Sequence, residues 1–448
     1  HPEIASVPVA FIDDDPEKVG KSIQSIPVVG GRKQIPMAAK SLDIDEIILA
    51  MPSGDRKTRS EILEECNKSG CKIKIVPGVY EFIDDNIDIS DIREVQIEDL
   101  LGREQVELDQ DVLNTFLKDK VVFVTGAGGT IGSELCRQIL KFSPKKLIMI
   151  DIYENTTYEI QNEILRHDPS APIEVRIDSI RDRERMDLLF DEYRPQVVFH
   201  AAAHKHVPLM EDSFVSAVKN NIFGTLNVLQ AADKYGVEKL VNISTDKAVN
   251  PTSVMGCTKR VVEILLQTMD KNSKTDYVAV RFGNVLGSHG SVIPLFKEQI
   301  KEGGPVTVTH KDIIRFFMTI PEACQLVLQA GAIAKGGEIF VLEMGEPVRI
   351  DDLARKLISL SGFTPDVDIE IKYTGLRPGE KLYEETLIDT ANTSKTEYDK
   401  IYIEKPQNHD EEKLWKDLER LKEMTHKDNK EEIVKGLKAI VPNFTPDI

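Results

Sequence analysis

The sequence predicts an α/β protein: a doubly wound parallel-sheet domain with a smaller mixed α/β lobe, preceded by a second, N-terminally truncated α/β domain. Short apolar runs alternate with helical stretches from Val121 to Asn284, the signature of a parallel sheet covered on both faces. A glycine-rich turn joins the first of these runs to the helix after it. The same alternation, without such a turn, fills residues 1–78. A chain of 448 residues also exceeds one ordinary core.

Residues 1–78 carry the strand-like runs V-P-V-A-F-I, E-I-I-L-A-M and K-I-K-I-V, with helical stretches such as 57–68 between them. The first run ends in Asp13-Asp14-Asp15, and no glycine loop precedes it. A complete nucleotide-binding unit opens with strand, glycine turn and helix, so this lobe is expected to lack its first strand and helix and to serve structure. The first residue is His1 rather than Met, as expected of a fragment or processed form. Residues 79–118 are acidic and mixed, a connecting arm. Residues 119–286 hold the complete repeat, with strands V-V-F-V, K-L-I-M-I, I-E-V-R-I, Q-V-V-F-H, K-L-V-N-I and Y-V-A-V-R-F. Residues 287–405 are irregular and richer in Gly and Pro, as a substrate-binding lobe with return segments to the core would be. Residues 406–448 form a helical tail, in which 408–426 is expected to be a charged, solvated surface helix.

Hydrophobic content of 41% and charged content of 29% are those of a soluble globular chain. A formal charge of −18 excludes nucleic acid as a partner, because its phosphates would be repelled. A phosphate-bearing ligand must therefore meet local Lys or Arg. No apolar run within the chain is long enough to span a bilayer. The five cysteines (66, 71, 136, 257 and 324) include no C-x-x-C pair and read as reduced thiols in a cytosolic setting.

Thr125-Gly126-Ala127-Gly128-Gly129-Thr130-Ile131-Gly132 follows the strand V-V-F-V and opens a helix. Gly126, Gly129 and Gly132 allow a tight turn, close approach of a pyrophosphate and close helix packing. The diphosphate would rest on the helix N-terminus, where backbone N–H groups and the helix dipole favour an anion. Asp151 ends the next strand, where a carboxylate can accept both ribose hydroxyls of NAD. No Arg follows it in Ile152-Tyr153-Glu154, so NAD is expected rather than NADP. Asp178, Ser179 and the triplet Ala201, Ala202, Ala203 end the following strands and face the same crevice.

The stretch V-N-I-S-T-D-K-A-V-N-P-T-S-V-M-G-C-T-K places a hydroxyl, Thr245, ten positions ahead of Met255, with Lys259 four residues beyond. That is the layout of a dehydrogenase active site, with Met where a Tyr is expected. A thioether cannot carry the alcohol proton. Asp246 and Lys247 directly follow the hydroxyl and offer an extra acid and an extra base. Hydride transfer alone needs neither; elimination coupled to transient oxidation needs both. His200, His204 and His206 have spacings available to a metal, but no matching Cys or acidic ligand accompanies them, so no metal is expected.

The ordered set T-G-A-G-G-T-I-G, H-A-A-A-H-K-H-V-P, N-N-I-F-G-T, S-T-D-K-A-V-N-P, M-x-x-x-K and R-P-G-E-K resembles the extended short-chain dehydrogenase/reductases, a Rossmann superfamily. More narrowly, it is similar to the UDP-N-acetylglucosamine 4,6-dehydratases of bacterial capsule, O-antigen and protein-glycan biosynthesis, over roughly 119–405. The resemblance implies oxidation at carbon 4 of the sugar, loss of water across carbons 5 and 6, and return of the hydride to carbon 6. It makes Lys247 the base at carbon 5, Asp246 the acid for the departing hydroxyl and Thr245 the holder of the 4-hydroxyl. Lys259 would hold the nicotinamide ribose, and Lys205 would reach between cofactor and substrate. For the UDP half it implies Asn284, His289, Arg315, Arg377 and Glu380, although several relatives have Arg where His289 stands. Methionine at position 255 goes with the large members that retain configuration at carbon 5. Those members are membrane-anchored through a segment absent here, carry a second α/β lobe like 1–78, and form homo-oligomers. A 4-epimerase or reductase on the same fold is the next expectation, and a non-catalytic NAD-binding scaffold the third.

Overall fold

The computed structural model describes residues 7–51, 56–76, 92–95, 99, 108–385, 388, 392–405, 407 and 409–446. It divides into two compact units. The first comprises the described residues of 1–104 together with Val292–Lys311 and Arg349–Thr374. The second comprises Gln105–Ser291, Asp312–Val348 and Gly375–Ile448.

In the first unit the strand Phe11–Ile12 pairs in parallel with Ile26–Gly30, and Ser22–Ile23 returns antiparallel to the latter through a tight hairpin. Gln24 and Ser25 at its tip both have positive φ, the geometry whose twist matches a two-residue hairpin. A separate small sheet pairs Glu46–Leu49 in parallel with Lys72–Ile75 and adds Arg93–Glu94 antiparallel. The three expected strands exist, but among the described residues they lie in two small sheets rather than one. The run 26–30 was not expected as a strand. Leu63, Cys66 and Ile75 form the driest part of this core.

The second unit is built on a nine-stranded sheet. Its strands are β1 (Val121–Thr125), β2 (Lys146–Asp151), β3 (Ile173–Ile177), β4 (Val197–His200), β5 (Lys239–Ile243), β6 (Asp276–Arg281), β7 (Ile339–Leu342), β8 (Thr393–Lys395) and β9 (Ile401–Glu404). Their order is β8-β9-β7-β6-β5-β4-β1-β2-β3. From β3 through β7 every pairing is parallel, while β8 and β9 join antiparallel. The order reverses between β1 and β4, the switch point beyond whose carboxyl ends sheets of this kind bind their ligands. The central strands are largely apolar because helices cover both faces: Val122, Phe123, Val124, Leu240 and Val241 are fully buried.

Three parts of the chain differ from expectation. The end of the connecting arm is a helix, Gln110–Leu117, capped by Asp109 and packed into the sheet core through Leu113 and Leu117. The stretch 287–405 is shared between the two units rather than forming one lobe. The charged helix, Glu411–Met424, does not merely sit in solvent. With Lys430–Ile440 it forms a pair whose stripe of Leu414, Leu418, Leu421, Ile433 and Leu437 closes the main core. Charge density alone hid a narrow but complete apolar stripe. Among the described residues no helix is long and apolar enough to cross a membrane.

Candidate active site

The glycine turn leaves β1 at Gly126, whose φ of +71° favours glycine. A Cβ there would lie 2.7 Å from the Ala202 backbone nitrogen, and one at Gly132 would lie 2.0 Å from the Gly126 carbonyl oxygen. These two glycines therefore let strand and helix touch. Gly129, the residue ahead of the helix Thr130–Leu140, has no capping side chain, so the N–H groups of that first turn stay available. Asp151 accepts from the Gly128 and Tyr153 backbone nitrogens, both at 2.9 Å, which ties the end of β2 to the turn. Asp178 is held by a two-pronged ion pair with Arg185, at 2.8 Å for both contacts, and the Ser179 hydroxyl accepts from the Arg181 nitrogen. Ala201, Ala202 and Ala203 follow β4, partly buried, along the same edge.

A strap crosses this edge. Lys205 Nζ donates to the His289 carbonyl at 2.9 Å, and the His289 nitrogen donates to Thr130 Oγ1 at 3.2 Å. Burial lowers the Lys205 ammonium. Ile131 is half-buried against the core behind the turn.

β5 delivers the reactive group. Its ladder continues past Ile243, because the Ser244 nitrogen donates to Val280 and the Asp246 nitrogen to Phe282. Thr245 then caps a 3₁₀ turn, Asp246–Ala248. Thr245 Oγ1 donates to Asp246 Oδ1 at 2.7 Å. Lys247 Nζ lies 3.0 Å from Asp246 Oδ1 and 2.8 Å from Glu384 Oε1. Both carboxylate side chains are only 4% exposed while Lys247 is 26% exposed, so the pair is set into the protein with the amine at its open side and is not a solvated surface pair. Burial alone would raise the Asp246 carboxyl, but Lys247 and Thr245 outweigh it and hold the group below its usual range. Burial would lower the Lys247 ammonium, yet Asp246 and Glu384 reverse this and raise it. Glu384 is pushed up, first by burial and further by the Asp246 charge.

The helix Val254–Asp270 lies behind this turn and is buried along most of its length. Met255 packs in the apolar core, 4% exposed. One turn on, Lys259 is buried and its ammonium has no hydrogen-bond partner among the described residues. Burial lowers it to about 8, against an opposing pull from Glu263. An unpaired buried ammonium is costly unless a ligand supplies acceptors. Together with the bare helix end and Asp151, it forms the donor and acceptor set that a dinucleotide needs. Among the described residues no group of three His, Cys, Asp or Glu is placed to hold a metal. His200 is spanned by Thr125 and Thr225, and burial lowers it to about 3.

Asn284 donates to Glu384 Oε2 at 2.9 Å, and Lys247 Nζ reaches Asn284 Oδ1 at 3.4 Å, so Asn284 belongs to the cluster. Arg315 is not a free fork for a diphosphate. Its Nε faces Glu384 at 3.2 Å, and its other nitrogens donate to the Ile314, Leu382 and Lys381 carbonyls and to Glu380. Arg377 is exposed, and Glu380 accepts from both its backbone and its guanidinium. Burial would raise Glu380, but Arg377 and Arg315 hold it low.

Sequence reasoning missed four supporting residues. Glu384 follows R-P-G-E-K in L-Y-E-E, and an adjacent acidic pair was the only signal. Asn221, in the π-helical turn Val218–Gly224, binds the His204 backbone nitrogen and carbonyl and also Thr258. Glu211 accepts from the Val254 nitrogen at the head of the long helix and pairs with Lys430. Glu263 accepts from Ser244, Arg260 and Arg281 beneath the end of β5.

The sheet order, switch point and site define a Rossmann-like fold of the extended short-chain dehydrogenase/reductase type. The X-ray structure of Pen from Bacillus thuringiensis matches with a TM-score of 0.60 and 37% identity, covering 65% of this chain and 90% of that one. The chain belongs to the family described as polysaccharide biosynthesis protein, whose profile matches residues 122–406. Residues 1–77 match a profile described as a CoA-binding domain. The probable polysaccharide biosynthesis protein EpsC of Bacillus subtilis is 49% identical over 94% of this chain and 71% of its own length. The capsular polysaccharide biosynthesis protein CapD of Staphylococcus aureus is 48% identical over 88% of this chain. This chain spans 66% of that relative's length. More distant matches are an inverting UDP-N-acetylglucosamine 4,6-dehydratase of Campylobacter jejuni (31% identical, 64% of this chain, 83% of the relative) and a UDP-glucose 4-epimerase of Rickettsia canadensis (35%, 62% and 80%).

Proposed function

We propose that this chain is a nucleotide-sugar-modifying enzyme of the dehydratase and epimerase class, and that its reaction is the 4,6-dehydration of UDP-N-acetylglucosamine for bacterial glycan biosynthesis, with configuration at carbon 5 retained. One observation carries the choice of reaction: the Lys247 amine, partly exposed, is held between the buried carboxylates of Asp246 and Glu384 just beyond the end of β5. Hydride transfer alone has no use for an amine clasped between carboxylates. Removing a proton from carbon 5 and expelling a hydroxyl from carbon 6 needs both kinds of group.

NAD fits the residues present and, when bound, supplies the hydride acceptor and donor. The first turn of Thr130–Leu140 would hold its diphosphate, Asp151 the adenosine ribose, and Lys259 the nicotinamide ribose. Asp151 has no cation in Ile152-Tyr153-Glu154 to receive a 2′-phosphate.

Within the sugar site, Asp246 is ionised and accepts a hydrogen bond from Thr245, so it can take the 4-hydroxyl proton that Met255 cannot. The same carboxyl then gives that proton to the oxygen leaving carbon 6. One proton thus moves from the first oxygen to the departing water, and the enzyme is unchanged. Lys247 removes the carbon-5 proton and later returns it. Arg377 and His289 would meet the nucleotide, while Arg315 is committed to the Ile314, Leu382 and Lys381 carbonyls and to the carboxylates of Glu380 and Glu384.

The test is incubation with UDP-N-acetylglucosamine. Loss of one water without net NADH supports dehydration, and the proton NMR spectrum of the product gives the carbon-5 configuration. An isomer of unchanged mass would instead support 4-epimerisation, the second reading, which the Rickettsia relative favours. An unchanged sugar would rule out both for this substrate.

A further inference from the structure

Lys247 presents a difficulty that its neighbours create. A base at carbon 5 must be a neutral amine, whereas the cluster holds this amine as an ammonium. Its proton must go to a neighbouring group or to the solvent that reaches the lysine side chain, which is 26% exposed beside two carboxylates that are 4% exposed.

We infer that Glu384 is the acceptor of the proton Lys247 sheds, the group that converts an ion pair into a usable base. The inference rests on the dehydratase assignment and adds a residue to it. In the step, an N–H bond of Lys247 breaks and an O–H bond of Glu384 forms across the 2.8 Å contact. Both groups become neutral and no charge enters or leaves. The amine takes the carbon-5 proton and later gives it back. Glu384 then returns the proton it borrowed.

Several observations single out Glu384 over Asp246. Glu384 makes the shorter contact with the amine, 2.8 Å against 3.0 Å. Asp246 already accepts from Thr245 and is needed for the oxygen protons. Asn284 fixes Oε2 of Glu384, and Oε1 is shared between the Lys247 amine at 2.8 Å and Arg315 Nε at 3.2 Å, the amine being the nearer. Arg315 backs the carboxylate while its other donors are anchored on three carbonyls, so it stays in place as the proton moves. The charged groups facing Lys247 are Asp246 from its own turn and Glu384, with Arg315 behind Glu384 and Glu380 behind Arg315. Glu384 touches Lys247 and is therefore a positioning residue that works through it.

Glu384→Gln keeps the shape and removes the acceptor. With internal transfer intact, water loss in the native enzyme varies less than about threefold between about pH 6.5 and 9. In Glu384→Gln the amine must lose its proton to solvent. The rate is then expected to fall about 100-fold at pH 6.5 and to climb about tenfold per pH unit. Glu384→Asp should restore part of the flat profile. A loss by the same factor at every pH would show a packing role only and overturn the inference. A second readout needs no turnover: acetylation of Lys247, followed by peptide mass spectrometry across pH. It should reach half-reaction at lower pH in Glu384→Gln than in the native chain, and coincident curves would overturn the inference. If the native enzyme removes no water from UDP-N-acetylglucosamine, the dehydratase assignment fails, and the labelling curves alone decide whether Glu384 governs Lys247.

Discussion

Lys247 has three partners within 3.4 Å, and no substitution can replace all of them. Lys247→Ala is expected to abolish water loss while cofactor remains bound, since the glycine turn, Asp151 and Lys259 are untouched; full activity would remove Lys247 from the mechanism. Met255→Ala should be far milder than Asp246→Ala, because Met255 fills core volume whereas Asp246 is the proposed proton carrier. Equal losses in kcat would give the thioether a chemical role. Lys259 links cofactor binding to pH. Its folded pKa of about 8 lies below the usual 10.5, so burial of its charge is a penalty below pH 8 that is relieved as pH rises through this range. A ribose that accepts from the ammonium favours the protonated form. NAD affinity should therefore be greatest below about pH 8 and fall above it, with proton uptake on binding near pH 8.5. Calorimetry in buffers of different ionisation heat measures that uptake, and its absence would mean that Lys259 binds as a neutral amine.

At the scale of elements, the site depends on how closely the helix Val254–Asp270 approaches the 3₁₀ turn. Gly256 makes the approach possible: a Cβ there would sit 2.2 Å from the Lys247 carbonyl oxygen. The contact is backbone against a buried helix, so neither side can yield cheaply. Gly256→Ala improves helix propensity by about 1 kcal/mol, yet it should displace the turn and reduce kcat by at least about tenfold. An alanine variant with native kinetics would show that the turn has slack. The head of the same helix is fixed by Ser253, whose side chain accepts from the Gly256 nitrogen, and by Glu211 on the Val254 nitrogen. Replacing Glu211 by Leu removes a buried acceptor and strands Lys430, which should cost about 1–3 kcal/mol in denaturant unfolding.

For the whole second unit, stability rests on a sheet sealed by the C-terminal helix pair. Leu421 is fully buried between those helices and the main core. Leu421→Ala should cost about 2–5 kcal/mol and lower Tm, with little change in KM for the protein that remains folded. A second determinant is the charge network under β5 and β6. Burial would raise Glu263, but Arg281 and Arg260 hold it down at about 2, against a usual 4.5. Its stabilising contribution is complete above about pH 4.5 and is lost as pH falls toward 2. Glu263→Gln should therefore start from a lower Tm and lose less of it on acidification, as calorimetry at pH 3 and 5 would reveal.

Sequence alone determined the parallel repeat, the glycine turn and the neighbourhood of Thr245, Asp246, Lys247 and Lys259. Each is a local matter: apolar period, turn chemistry and residue type are written within a few consecutive positions. It also led to the polysaccharide biosynthesis family, because several motifs recur in order. Only the tertiary structure decided what those residues face. Glu384 lies 137 positions from Lys247 and Glu263 lies 19 from Ser244, and no spacing rule relates either pair. Arg315 looked like a ligand-binding fork until the fold surrounded it with carbonyls and carboxylates. The charged C-terminal helix looked solvated until its narrow apolar stripe met the core. Protonation follows the same division. A sequence names the titratable groups, but burial and the charges brought beside them by folding determine which one holds the proton.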